Sequence, residues 1–509
     1  MKKVLKALTS RIFIFAVAIL SEIFWLYMSV TFLMSISPWI NFAFRILAII
    51  LTLWTLNRRI NPSYQIAWVV LMLAVPVFGI VLYFMYGNSR LKTTLRRRMK
   101  AGELYSYRFV KSKEKDRALL KEEKPEALRQ SDYIRNSSGF ALSRNTGTKY
   151  YPFGDDVLPD MLEDLRSAKN FIFMEYFIIG EGVFWDEIRR ILVQKAAEGV
   201  EVRVIYDDFG SASAIPYHYY KKLQAQGIKC VCFNKVRLIV SLIVNNRDHR
   251  KILNIDGRVA YTGGFNVADE YINRKMRFGV WKDAGVRITG PSVLNMTSMF
   301  LQIWYAVTGD GSDFRSFIRE NEELPAKEGF VQAFSDMPLD DEAVGENVYA
   351  DLISHAQKYI YIYTPYLVLD SYLTQALCQA GRSGIDVRIV TPGIPDKKIV
   401  YLLTRSNYGE LLEAGARIFE YTPGFIHSKC MLSDDTTAVI GSINLDFRSL
   451  YLNFEDAVWL YRTEAVRELK EDMEKTFGEC RESTLQDYYK RNVIIRFLES
   501  IFKIFAPLF

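Results

Sequence analysis

The strongest constraint on this chain is a motif that occurs twice with the same internal spacing. Its marked positions are His249, Lys251, Asp256 and Asn266 in the first copy and His427, Lys429, Asp434 and Asn444 in the second. Each position in the second copy lies 178 residues after its counterpart, as His427 does after His249. The chain has only four histidines, and two of them stand in this motif. The match predicts a duplication, with one copy in each of two similar halves.

The surrounding segments repeat as well. From about residue 150, short β-rich runs alternate with helical runs, which is typical of parallel strands with crossover helices. The first unit has predicted strands at 171–179, 200–206 and 229–233 and helices at 185–198 and 217–226. The second has strands at 359–363, 385–390 and 417–421 and helices at 372–380 and 402–413. We therefore predict a duplicated α/β fold whose site lies on a pseudo-twofold axis.

The first hundred residues have a different character. Three apolar stretches, at 12–34, 39–56 and 65–86, each approach the length that spans a bilayer. Residues 1–100 carry thirteen Lys and Arg against one acid, a charge of +12, so the total of +7 leaves −5 for the rest. Basic clusters between apolar stretches predict an α-helical membrane region that contacts anionic lipid rather than nucleic acid.

The basic clusters also bear on topology, because the positive-inside rule favours the cytoplasm for all of them. Pro76 and Gly79 can break the third stretch, so that it re-enters the same side after a spanning hairpin. Three true spans, with one cluster on the other side, are the alternative. Either arrangement is multi-pass, and the Arg90–Lys100 cluster predicts a cytoplasmic catalytic domain.

These patterns divide the chain into five parts. They are a membrane anchor (1–100), a solvated, charged helical linker (101–140), a first half (141–335), a second half (336–485) and an amphipathic tail (486–509). The tail fits either a membrane-interface helix or a helix docked on the protein core. The apolar run 236–244 is either a buried strand or a lip that admits acyl chains.

The motif residues suit one kind of chemistry. His and Lys two residues apart project from the same face of a strand, and the Asp falls where a hairpin turns, so the next strand returns the Asn. Two such surfaces face to face supply two imidazoles and four donors to phosphate oxygens. One imidazole can attack phosphorus while the other protonates the leaving alcohol, without a metal ion. As members of the motif, Asp256 and Asp434 are counted among the candidate catalytic residues, although turn preferences favour a scaffold role for both.

These twin H-x-K-x4-D signatures resemble the phospholipase D superfamily. The contexts Asn-Arg-Asp-His249-Arg-Lys and Thr-Gly-Gly-Phe-Asn266 are similar to bacterial cardiolipin synthases in particular, and so is the segment from Ala67 to Gly87. The resemblance implies a phospholipase D-type mixed α/β sandwich in the bacterial plasma membrane. It also implies phosphatidylglycerol as substrate, glycerol as leaving group, cardiolipin as product, a phosphatidyl-histidine intermediate and no cofactor. The five cysteines show no metal or disulfide spacing.

Other residues are candidates for supporting roles. An imidazole that acts in catalysis needs an acceptor on its second nitrogen. Asp283 and Glu455 each follow a motif by about thirty residues and begin an apolar run, with Glu270 as a competitor in the first half. Strand ends often line the binding sites of open α/β sheets. We therefore predict substrate contacts for the residues at two equivalent strand ends, Glu175, Tyr176, Tyr363 and Tyr366. His218 and His355 lack the motif context and are predicted to be structural.

Rival functions share part of this evidence. A phospholipase D that hydrolyses its lipid to phosphatidic acid has the same motifs and differs only in whether water reaches the intermediate. A nuclease of the same superfamily fits the apolar N-terminus and the acidic balance after residue 100 poorly. A non-enzymatic membrane scaffold does not need intact His, Lys and Asn in both halves.

The two imidazoles are assigned different roles. In the superfamily the N-terminal motif more often supplies the attacking histidine, which favours His249 as nucleophile and His427 as acid. The adjacent Arg247 and Arg250 would also favour a neutral imidazole at position 249.

Overall fold

The fold is given by a computed structural model. It describes residues 38–508 apart from 59, 88–92, 236–245, 312–313, 319–325 and 340–341, together with residues 24, 27 and 28. Of the predicted segments, the apolar stretch 12–34 falls almost entirely outside the described residues, and the run 236–244 falls wholly outside them.

The N-terminal region consists of short apolar helices. Their bounds are Pro38–Leu56 (α1), Pro62–Ala74 (α2) and Pro76–Tyr86 (α3). The third apolar stretch is broken as its sequence predicts, because Pro76 ends α2 and opens α3. The two helices then pack so closely that a Cβ at Gly79 would lie 2.4 Å from the Leu71 carbonyl oxygen. Among the described helices, none combines the length and the apolar character that a membrane crossing requires.

The charged linker is helical, but the prediction that it is simply solvated is wrong. Its helices are Thr93–Ser106 (α4), Glu114–Glu123 (α5) and Pro125–Ser138 (α6). Gln130 and Ser131 on α6 are buried. Gln130 accepts a hydrogen bond from the Trp459 indole at 2.5 Å, and the Ser131 hydroxyl donates to Gln332 at 2.6 Å. The buried face of α6 carries polar residues within a segment rich in charge, so the sequence did not distinguish it from a solvated face.

The first half is built on a mixed sheet. Its strands are Gly147–Tyr151 (β1), Phe171–Tyr176 (β2), Glu201–Asp207 (β3), Lys229–Phe233 (β4), Lys251–Ile255 (β5), Val259–Gly263 (β6), Val280–Lys282 (β7) and Gly285–Thr289 (β8). Apart from β7, they form a sheet in the order β1-β8-β6-β5-β2-β3-β4 within the described chain. The predicted parallel strands are β2, β3 and β4, and the motif strand β5 runs antiparallel to β2. Its helices are Gly154–Ser167 (α7), Val183–Ala197 (α8), Tyr219–Gln224 (α9) and Val293–Thr308 (α10).

The second half repeats this plan. Its strands are Phe330–Asp336 (β9), Tyr359–Tyr363 (β10), Asp386–Pro392 (β11), Arg417–Tyr421 (β12), Gly424–Ile426 (β13), Cys430–Ser433 (β14), Thr437–Gly441 (β15), Glu455–Tyr461 (β16) and Cys480–Ser483 (β17). In the described residues, all except β13 form a sheet in the order β17-β12-β11-β10-β14-β15-β16-β9. Because β9 pairs with β16, the second sheet begins at Phe330, a few residues before the predicted boundary.

The helices of the second half and the tail follow. They are Val344–His355 (α11), Ser371–Arg382 (α12), Lys398–Ser406 (α13), Tyr408–Glu413 (α14), Phe447–Tyr451 (α15), Glu464–Gly478 (α16), Leu485–Tyr489 (α17) and Val493–Phe505 (α18). The helix predicted at 402–413 is two helices that meet at Asn407, whose side-chain amide donates to the Leu367 and Leu403 carbonyls.

The two halves exchange backbone pairs beside both motifs. Strand β13 of the second half pairs in parallel with β7 of the first, with Ile426 opposite Lys282. On the other side of the pseudo-twofold axis, Asp248 forms a parallel bridge with Phe454. Ile426 and Asp248 each directly precede a motif histidine. Their partners, Lys282 and Phe454, each directly precede a carboxylate residue of the other half.

The motif aspartates are structural, and their inclusion among the catalytic residues is wrong. Asp256 and Asp434 sit in hairpin turns with φ of +55° and +51°. Each carboxylate accepts hydrogen bonds at 2.7–3.0 Å from three consecutive backbone amides. These amides belong to residues 169–171 for Asp256 and to residues 357–359 for Asp434. The aspartates therefore fix the start of β2 and β10, at the far end of the motif strands from the histidines.

Asp256→Ala should lower the free energy of unfolding by about 2–4 kcal/mol, because it removes charge-assisted hydrogen bonds and places alanine in the left-handed region. Asp434→Ala should behave alike, and thermal unfolding followed by circular dichroism measures both. Asp256→Asn is the matched control and should cost less, since asparagine tolerates the turn and keeps one acceptor oxygen. An unchanged unfolding midpoint in both alanine variants would contradict the structural role.

Candidate active site

The two motif histidines lie in the seam between the halves, and both are buried. The backbone amide of His249 donates to the Phe454 carbonyl at 2.9 Å, and that of His427 donates to the Lys282 carbonyl at 2.7 Å. The backbone pairing between the halves therefore fixes where each histidine enters the site.

Each imidazole contacts a carboxylate from the opposite half. The Nδ1 atom of His249 lies 2.9 Å from both carboxylate oxygens of Glu455. The Nδ1 atom of His427 lies 2.6 Å from Asp283 Oδ2. This crossing follows from the seam, because Glu455 comes directly after Phe454 and Asp283 directly after Lys282. Of the two candidates in the first half, Asp283 and not Glu270 has a described contact with the imidazole.

These contacts set the tautomer of both rings. A carboxylate accepts the Nδ1 proton, so that a neutral imidazole presents an unprotonated Nε2. Aromatic rings surround the imidazoles and restrict their orientation. Phe177 lies 5.0 Å from the His249 ring centroid, and Trp281 and Phe425 lie 5.4 and 5.8 Å from that of His427. Both rings are thus held for chemistry at Nε2.

The two carboxylates have different supports, a difference that the sequence analysis missed. The Ser442 hydroxyl donates to Glu455, and the Asn453 amide donates to it at 3.2 Å. Gly264 holds the position equivalent to Ser442, and a Cβ there would lie 2.0 Å from Asp283 Oδ1. That oxygen has no hydrogen-bond partner among the described residues. The contrast between Gly263-Gly264 and Gly441-Ser442 in the motif was the available signal.

The motif lysines are buried beside the imidazoles. Each ammonium group contacts the backbone carbonyl of its own motif histidine, Lys251 that of His249 and Lys429 that of His427. Burial lowers the pKa of Lys251 to about 8, opposed chiefly by the charge of Glu455. Burial lowers the pKa of Lys429 to about 7, opposed chiefly by Asp283. Because both ammonium groups are already desolvated by burial, a phosphate oxygen that binds them does not have to displace their hydration water.

Burial also governs the imidazoles. It lowers the pKa of His427 to about 4, helped by Lys429 and opposed by Asp283, and it lowers the pKa of His249 well below its ordinary value. A lowered histidine pKa means that the ring is uncharged at neutral pH.

The predicted influence of the flanking arginines is wrong, because their guanidinium groups point to other partners. Arg250 lies 2.6 Å from Glu175, and Arg247 lies 3.4 Å from Asp207. After burial, Lys251 and Lys429 are the largest influences on the pKa of His249.

The two motif asparagines follow β6 and β15 and are not equivalent. The Asn266 side chain accepts from the Ile178 amide at 3.0 Å and donates to the Tyr271 hydroxyl at 2.8 Å. The Asn444 side chain donates to Asp446 at 3.1 Å, and its oxygen has no hydrogen-bond partner within the described part of the chain. Asn266 is therefore committed to holding its loop, whereas Asn444 keeps an unused polar atom.

The four residues predicted to contact substrate differ in burial and in the groups that they contact. Glu175 is buried against Arg250, so its prediction as a substrate contact is wrong. Tyr176 and Tyr363 are buried in the two sheets, opposite Lys251 and Cys430 of the motif strands. Tyr366 is half-buried, donates to Asp396 at 2.7 Å and lies 6.5 Å from the Phe425 ring beside His427.

The remaining histidines stand apart from this constellation. His218 Nδ1 lies 3.2 Å from the Tyr220 hydroxyl, and His355 Nδ1 lies 3.1 Å from a carboxylate oxygen of Asp351. Both are on the surface. The seam therefore gathers two imidazoles, two carboxylates and two lysines, a set that can transfer a phosphoryl-linked group through a histidine.

Comparison with known proteins agrees with this geometry. Residues 161–304 and 349–477 match the family model described as cardiolipin synthase, phospholipase D-like domain. Residues 46–88 match the phospholipase D-nuclease N-terminal family. Cardiolipin synthase 2 of Bacillus anthracis is 33% identical over 452 residues, which cover 88% of this chain and 87% of the relative.

Two further relatives extend the comparison. An uncharacterized protein of Streptococcus mutans is 40% identical over 461 residues, covering 90% of this chain and 99% of its own. The crystal structure of a phosphatidylserine synthase from Haemophilus influenzae Rd KW20 superposes with a TM-score of 0.56 at 13% identity. That superposition covers 75% of this chain and 99% of the other, and it is a likeness of fold. On the sequence matches, this chain belongs to the phospholipase D-like family of cardiolipin synthases.

Proposed function

We propose that the protein is a cardiolipin synthase that transfers a phosphatidyl group from one phosphatidylglycerol to another and releases glycerol. The observation that carries this proposal is the pair of imidazoles, each held at Nδ1 by a carboxylate of the opposite half, in a chain that belongs to this family. The relatives named cardiolipin synthase support the choice of lipid.

In the first step, His249 Nε2 attacks the phosphorus of the first phosphatidylglycerol. The bond from phosphorus to the headgroup glycerol oxygen breaks, and His427 donates a proton to that oxygen, so that glycerol leaves. The product is a phosphatidyl group bonded to His249. Lys251 and Lys429 stabilise the charge on the non-bridging oxygens. The phosphodiester anion raises the pKa of His427, which lets this ring carry its proton when the lipid is bound.

In the second step, His427 accepts the proton of a headgroup hydroxyl on a second phosphatidylglycerol. The hydroxyl oxygen attacks phosphorus, the bond to His249 breaks, and cardiolipin forms with both imidazoles restored. The choice between transfer and hydrolysis therefore depends on whether a lipid hydroxyl or water reaches the intermediate.

The same proposal places the enzyme in the bacterial plasma membrane, where its substrates lie. The basic clusters and the apolar N-terminal stretches support an anchor that contacts anionic lipid. The break at Pro76 supports a spanning hairpin followed by a re-entrant segment, with the catalytic domain on the cytoplasmic side.

Purified protein in phosphatidylglycerol vesicles should produce cardiolipin and glycerol in equal amounts without nucleotide or divalent metal, because two imidazoles supply both nucleophile and acid. Mass spectrometry of the lipids measures the products. Phosphatidic acid as the main product would favour a hydrolase. Activity lost on chelation and restored by a metal ion would contradict the metal-free route.

His249→Ala and His427→Ala should each reduce turnover by several orders of magnitude, since each removes an essential member of the pair. His218→Ala and His355→Ala are the matched controls and should retain normal turnover. With a donor whose leaving group needs no protonation, His427→Ala should accumulate a phosphatidyl adduct that peptide mass spectrometry locates on His249. An adduct on His427 in the His249→Ala protein would reverse the assignment.

Glu455→Gln and Asp283→Asn should each lower kcat roughly a hundredfold to ten-thousandfold, because an amide stabilises the wrong tautomer of the imidazole beside it. Glu270→Gln is the control and should leave kcat near normal. With the activated donor, Glu455→Gln should slow adduct formation on His249, whereas Asp283→Asn should not. The opposite pattern would contradict the exchange of carboxylates between the halves.

A further inference from the structure

The C-terminal helix α18 exposes its apolar face, whereas a helix docked on a protein surface normally buries that face and exposes its polar one. Its apolar side chains are largely exposed, as shown by Val493 at 77%, Ile494 at 68% and Phe497 at 64%. Its only fully buried side chain is Glu499, at 2% exposure, which forms a 2.7 Å ion pair with Arg491. A helix that held its place by burying apolar area against the core would show the opposite pattern.

The exposed side chains form one stripe. Ile494, Phe497, Leu498 and Ile501 recur at the spacing of a single helix face, and all four are exposed. Phe502 and Ala506 on the protein-facing side join a small apolar cluster that contains Tyr64 of α2 and Phe447. The helix is therefore held in place by one side while its apolar stripe faces away from the protein.

The charge of the tail selects among possible partners. Between residues 490 and 508 the only acid is Glu499, which is buried and paired. Lys490 and Lys503 are exposed, and the half-buried Arg496 stacks on Tyr488 at 5.4 Å. A second copy of the chain would bring the same positive charge to the stripe, whereas an anionic bilayer complements both the charge and the apolar side chains.

The stripe also continues onto other apolar surface. Helix α18 packs against α2, whose Ile66 and Leu73 are half exposed, in the segment that matches the N-terminal family model. The shared cluster reaches Phe447, which opens α15 three residues after the motif residue Asn444. A surface that contacts α18 therefore lies next to the loop that enters the active site.

We propose that α18 is a membrane-surface helix. Its stripe inserts into the interfacial region of an anionic bilayer, and its basic side chains contact the lipid headgroups. Together with α2, it holds the second half of the catalytic domain against the membrane and brings the Asn444 loop to the level of the headgroups. This inference deepens the proposed function, since it states how the site reaches its lipid.

Phe497→Cys, labelled with an environment-sensitive fluorophore, tests contact with lipid in the full chain. The protein is reconstituted in phosphatidylglycerol and phosphatidylcholine vesicles that carry brominated acyl chains. The label should shift its emission to shorter wavelength and be quenched by the bromine atoms, because the stripe lies at the boundary of headgroups and acyl chains. Lys503→Cys, on the polar flank of the same helix, is the matched control and should be quenched much less.

Other outcomes separate the alternatives. Equal and weak quenching at both positions would overturn the proposal. Disulfide crosslinking between Phe497→Cys chains that persists at high dilution in lipid would instead assign the stripe to a second copy. The unsubstituted chain, treated with the same reagent, reports any signal from the native cysteines.

The test is independent of turnover. Carried out in the His249→Ala protein, it reads lipid contact without any reaction, so failure of the proposed chemistry and failure of the membrane contact give different results. Phe497→Asp combined with Ile501→Asp should abolish quenching of a label at position 494. The same change should lower conversion in vesicles more than conversion of a short-chain lipid in micelles, and an equal effect on both would contradict the role assigned to the stripe.

Discussion

Two backbone pairs across the seam between the halves determine the rest of this active site. In one, the His249 amide donates to the Phe454 carbonyl; in the other, the His427 amide donates to the Lys282 carbonyl. A carboxylate residue follows each of these carbonyls, so each pair sets an imidazole beside its acceptor. Neither half contains both an imidazole and the carboxylate that orients it, and the site therefore exists only when the halves are joined.

Burial gives these groups their chemistry and also makes them costly to keep. It raises the pKa of Glu455 to about 7 and lowers the pKa values of Lys251 and Lys429, so the charged forms of these three groups are less stable than they would be in water. Opposite charges at close range offset part of this cost, as they do for the Arg250 and Glu175 pair behind the motif. An incoming phosphodiester supplies further negative charge, which stabilises the charged forms of Lys251 and Lys429.

The two halves differ in the carboxylates that contact the imidazoles. Glu455 is longer than Asp283 and is supported by Ser442, whereas glycine at position 264 leaves Asp283 with an oxygen that lacks a hydrogen-bond partner among the described residues. The apolar tail packs on α2 and on the second half, beside the loop of Asn444. A nearly symmetric fold thus gives its two imidazoles carboxylate partners that differ in length and in hydrogen-bond support.

The sequence by itself determined the duplication, the alternation of strands and helices and the motif histidines and lysines, because these depend on local periodicity and on spacing that the chain repeats. It also indicated the break at Pro76, since proline cannot continue a helix. Only the tertiary structure decided which carboxylate meets which imidazole, because these contacts join residues 206 and 144 positions apart across the seam. It likewise decided which backbone amides the motif aspartates bind, that Arg250 pairs with Glu175 and Arg247 with Asp207, and that α18 turns its apolar face outward. Those outcomes depend on which partners three-dimensional packing brings within reach, and no local pattern records them.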